Sequence, residues 1–187
     1  MAELYKSAVD VREERAVMLN SAELQVGEYC ILSPGGVEEV DAVTDRITGL
    51  VTGFVTPDGV TIDQAPAADF ADGTWVTGSR KYTAASDNQT DEMIQVVYRP
   101  IMPGDIYSAE LDATIASTTG SGTPGYYISF PTADATKLDE NTSSSSIQQC
   151  LLVDNGQGTA SAAHPVKGGN YVLFKIAESQ IPQAAQG

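Results

Sequence analysis

Short β-branched and aromatic runs alternate along this chain with clusters of Gly, Pro, Asn, Asp and Ser. That rhythm constrains the fold most, because each run can cross a sheet once and each cluster can reverse the backbone. It predicts an all-β protein. The clearest unit is a run over residues 47–56, then Pro57-Asp58-Gly59, then a run over residues 60–63. Proline presets φ for the first turn position, aspartate tolerates the second and glycine supplies a positive φ, so the unit reads as a hairpin. Further strands are expected over residues 25–32, 37–43, 74–77, 93–98, 106–115, 126–130, 147–153 and 171–177. Residues 133–141 read as one helical turn or none. The expected architecture is a small β-barrel or β-sandwich, jelly-roll-like, with an N-terminal arm.

The arm is residues 1–20, and residues 21–187 are read as a single β-domain. Within the arm Leu4, Tyr5, Val9, Val11, Val17, Met18 and Leu19 stand among Lys6, Arg12 and Arg15. The apolar residues form no clean helical stripe, so the segment reads as partly helical or extended, ordered only against a partner. It is the first candidate interface. Tyr126 and Tyr127 form the second, the only adjacent pair in a protein that is 7% aromatic. Residues 50–56 and 114–132 are neutral stretches. Neutral Thr, Ser and Tyr surface suits protein contacts, and it suits a solvated loop equally well.

Charge narrows the partners. Twenty-five acidic residues against 10 basic ones leave a net charge of −15 over 187 residues. Phosphate contacts need local cations, so nucleic acid and anionic membranes are unsuitable partners. No basic stretch followed by an apolar run opens the sequence, so synthesis in a host cytoplasm is expected. There Cys30 and Cys150, the only cysteines, should stay reduced and unpaired.

No motif for chemistry emerges. His164 is the only histidine and lies in an Ala-Ala-His-Pro context without a nucleophile elbow. Asp58, Asp63, Asp69 and Asp72, and separately Asp134, Asp139 and Glu140, lack the spacing of a calcium loop. Gly49-Leu50-Val51-Thr52-Gly53 and Gly120-Ser121-Gly122 lack the lysine and helix of a phosphate loop. No catalytic residue, cofactor or metal is therefore expected.

Leu24-Gln25-Val26-Gly27-Glu28-Tyr29, followed by Ile47-Thr48-Gly49-Leu50-Val51-Thr52-Gly53-Phe54-Val55, is similar to segments of tailed-bacteriophage capsid decoration, or cement, proteins. In these an early Val-Gly-Glu strand precedes a Gly-Leu-Val-x-Gly strand. Arg99-Pro100 and Pro103-Gly104-Asp105-Ile106-Tyr107 resemble turn-and-strand units of phage head proteins. The resemblance covers about a third of the sequence. It implies a virion structural protein on the capsid exterior. Such a protein clamps neighbouring subunits of the major capsid protein, usually as a homotrimer. Two alternatives stand beside it. One is a receptor- or glycan-binding β-domain of a fibre or tail, which would present aromatics around Tyr126 and Tyr127. The other is a virion-associated glycan hydrolase, which would need two converging carboxylates.

Overall fold

The computed structural model describes residues 3–6, 12–40, 46–63, 72–111, 127–129, 137–140, 150–154 and 171–176. All regular structure among them is β. The strands are β1 (Glu3–Lys6), β2 (Glu14–Val17), β3 (Glu23–Gln25), β4 (Tyr29–Ser33), β5 (Gly36–Glu39), β6 (Gly49–Val55) and β7 (Thr74–Val76). They continue as β8 (Lys81–Thr83), β9 (Gln95–Pro100), β10 (Ile106–Leu111), β11 (Tyr127–Ser129), β12 (Lys137–Glu140), β13 (Cys150–Asp154) and β14 (Tyr171–Ile176). The chain divides into two compact units. One comprises Met1–Asp10, Val40–Ile47 and Ile101–Gly187; the other comprises Val11–Glu39 and Thr48–Pro100.

The first unit holds a six-stranded sheet in the order β1-β10-β12-β11-β13-β14, with β14 pairing to β10 as well as β13. Its ladders are antiparallel except for the two-residue parallel contact of β10 with β12. Tyr107 and Phe174 face each other in the β10–β14 register, their ring centroids 5.9 Å apart. The Tyr107 hydroxyl donates to the buried Asp105 carboxylate at 3.0 Å, so both polar groups enter this core with a partner.

The second unit builds a five-stranded sheet, β2-β9-β6-β4-β5, and a three-stranded one, β3-β8-β7. Alternation along β9 sends Val96 and Tyr98 inward and leaves Gln95, Val97 and Arg99 half-exposed. Met18, Leu24, Cys30, Phe54, Tyr82 and Ile94 complete the core, each at most 1% exposed. Trp75 packs edge-on to Phe54 at 5.9 Å. Each large apolar residue of this core stabilises the unit by about 1.5–3 kcal/mol by leaving water.

Several sequence expectations change here. Residues 25–32 are not one strand. Gly27 takes φ +88° and its N–H turns to Val51 O at 2.8 Å, which splits the run into β3 and β4. Residues 50–56 are core rather than contact surface: β6 is the central strand, and Leu50, Val51, Phe54 and Val55 are buried. Residues 14–18, expected in an arm, are the edge strand β2 and a fully buried methionine. Residues 137–140, within the stretch read as one helical turn or none, are strand β12. The Pro57-Asp58-Gly59 hairpin forms, with Gly59 N–H donating to Thr56 O at 2.8 Å and Ile62 N–H to Phe54 O at 2.9 Å. Its second arm reduces to a single bridge, Val55 to Thr61.

Candidate functional site

The residues picked out by sequence fall in different places. Leu4 and Tyr5 lie on β1, which pairs with β10. Val17 closes β2 opposite Gln95. Met18 is in the core of the second unit, and Leu19 packs against that core. Tyr127 opens β11 opposite Leu151. Val9, Val11, Tyr126 and His164 lie outside the described residues, as does nearly all of residues 114–132. Asp58, Asp63 and Asp72 are exposed and do not gather; among the described residues no three His, Cys, Asp or Glu side chains converge. Gly49–Val55 is a strand, so its two glycines form no phosphate loop. No helix among the described residues is long and apolar enough to cross a membrane.

Glu92, Asn88 and Tyr98, buried polar side chains of the second unit, are engaged in holding the fold. Glu92, 4% exposed, accepts from the N–H groups of Asp72 (2.7 Å) and Gly73 (3.3 Å) and from the Tyr82 hydroxyl (3.1 Å). Burial, together with the Glu92 charge, holds the Tyr82 hydroxyl well above its ordinary pKa. The Asn88 amide donates to Met18 O at 2.7 Å and accepts from Ile94 N–H at 2.9 Å. Tyr98 donates to Glu14 at 3.1 Å, and burial followed by that bond pushes its pKa up to about 12.

Cys30 is a free, buried thiol whose Sγ donates to Gly49 O at 3.5 Å. Burial pushes its pKa well above the usual thiol range, so it behaves as a small hydrophobe rather than a nucleophile. Native protein treated with iodoacetamide at pH 8 should leave the Cys30 peptide unmodified, and urea should make it react. Rapid native alkylation, read by peptide mass mapping, would contradict this burial.

Among the described residues, an open feature lies on the outward face of β2, β9 and β6. Arg15 stands opposite Val97, and Val97 stands opposite Gly53, so the three form a row across the sheet. The register shifts between Val51 and Gly53. Thr52 is the extra residue, and its hydroxyl donates to Val97 O at 3.2 Å. Above this bulge lies a cleft of about 180 Å³ lined by Glu13, Arg15, Gly53, Val55, Thr61 and Val97. None of its charged residues belongs to a motif. The available sequence signal was Gly53 itself, an isolated glycine inside an apolar β-run, which marks a bulge or a close approach. No family model, curated protein or solved structure matches the sequence.

Proposed function

We propose that this protein is a structural component of a virion. It binds the outer surface of a capsid as a homotrimer and stabilises the shell by clamping neighbouring copies of the major capsid protein. The observation that carries the reading is the adjacency of the two segments that resemble cement proteins. Residues 24–29 run through β3, the Gly27 turn and the start of β4, and residues 49–55 are β6. Tyr29 pairs with Leu50, and Gly27 N–H and Val51 N–H close the turn onto β6. Net charge supports the outer location: a protein of charge −15 is repelled by packaged DNA but can be drawn to basic patches on a shell exterior. The finer architecture of this reading is a small β-barrel or β-sandwich, jelly-roll-like; the pairing of β14 with β10 and the bridge from Met18 to Val37 of β5 support it.

The test is a particle lacking this protein. Such particles should assemble, but lose their genome at a lower temperature or after a milder osmotic shock than complete ones. Added purified protein should restore the resistance. Particles of unchanged resistance, or resistance that added protein does not restore, would refute the clamp.

A further inference from the structure

We propose that the cleft over Gly53 is a binding site for a single carboxylate carried on a short aliphatic stem, with Arg15 as its anchor. The first observation is the glycine. Glycine inside a strand weakens it, so its presence calls for a reason. Two other glycines of this unit have one: a methyl group at Gly49 would overlap the Tyr98 ring, and one at Gly73 would overlap the Tyr82 hydroxyl. Gly53 has neither reason. Its φ is not positive, and no atom lies within 4 Å of where its Cβ would stand. Neither a clash nor a positive φ calls for a glycine beside the bulge, and the open space over Gly53 can admit a group that approaches the sheet closely.

The second observation is charge. Arg15 is exposed beside this notch. Among the described residues no carboxylate forms an ion pair with the Arg15 guanidinium. A guanidinium offers a carboxylate two parallel N–H donors. Half-buried Val97 supplies apolar wall for a stem, and Thr61 adds a hydroxyl. The volume, about 180 Å³, holds roughly six waters at ~30 Å³ each, enough for a carboxylate and two or three carbons. Glu13 on the rim disfavours ligands of higher negative charge, phosphate esters among them. The carboxylate can be a glutamate side chain, the C-terminus of a peptide or a free small acid. The inference goes beyond the capsid reading and holds whether or not that reading survives.

The experiment follows amide NMR shifts of the full-length protein during titration with propionate, N-acetylglutamate amide and N-acetylalanine, against chloride at equal ionic strength. Saturable shifts confined to Arg15, residues 52–55 and Val97 are expected with at least one acid, and the strongest responder identifies the source. Arg15→Gln should weaken the response about tenfold or more. Gly53→Val should abolish it by filling the notch, and Gly53→Ala should weaken it with the rest of the spectrum unchanged. No saturable shift with any acid, or the same response in Arg15→Gln, would overturn the site.

Discussion

Deleting residues 1–20 is expected to abolish the cooperative unfolding transition of the second unit. Trp75 is the protein's only tryptophan and lies in that unit, so its emission reports on this transition. The deletion removes β2 from the edge of β9. It also removes Met18 from the core, together with the bond from Met18 N–H to Ile94 O at 2.9 Å. Asn88 then loses one of the two carbonyls that its amide donates to, and Gln89 N–H loses Asn20. A single substitution gives the graded version. Met18→Ala should cost about 3 kcal/mol, for lost transfer energy plus the cavity left behind, and move the urea midpoint of the Trp75 signal down by roughly 2 M. A transition unchanged by either variant would mean that this segment is an accessory arm after all.

Glu92→Ala should destabilise the same unit by about 3 kcal/mol. The carboxylate is the acceptor shared by the N–H groups of Asp72 and Gly73 and by the Tyr82 hydroxyl. Truncation leaves all three donors in a site that is 4% exposed at Glu92, and an unpaired buried donor costs about 1–3 kcal/mol. Glu92→Gln keeps the volume and one acceptor oxygen and should cost less. A Glu92→Ala cost well below about 1 kcal/mol, measured by Trp75 emission in urea, would show that these hydrogen bonds do not hold the loop at Asp72 and Gly73.

Where one local rule acted alone, the sequence was readable. The Pro57-Asp58-Gly59 turn formed because each residue met the φ requirement of its own position. Strands β9 and β14 were legible from β-branched and aromatic density. Strand β8 was missed: Lys81-Tyr82-Thr83 is three residues long and follows a turn, so no period shows. Its place is set by Tyr82, which packs on Phe54 and reaches Glu92. The split at Gly27 was hidden for a similar reason, because its N–H is satisfied by Val51, far away in sequence. Strand β2 was not legible because it buries through one residue beyond its end, Met18, and not through an alternating face. The cleft could not be read at all. Arg15, Gly53 and Val97 meet only when β2, β9 and β6 pair, and no spacing rule connects them.

The proposed role turns on where the protein resides, and quantitative mass spectrometry of purified particles, before and after protease treatment of their intact surface, reads that most directly. The expected result is a copy number comparable to that of the shell subunits, with the protein cut or stripped while the genome stays enclosed. Absence from the particle, a copy number suited only to a tail, or protection until the shell is opened would contradict an exterior capsid protein.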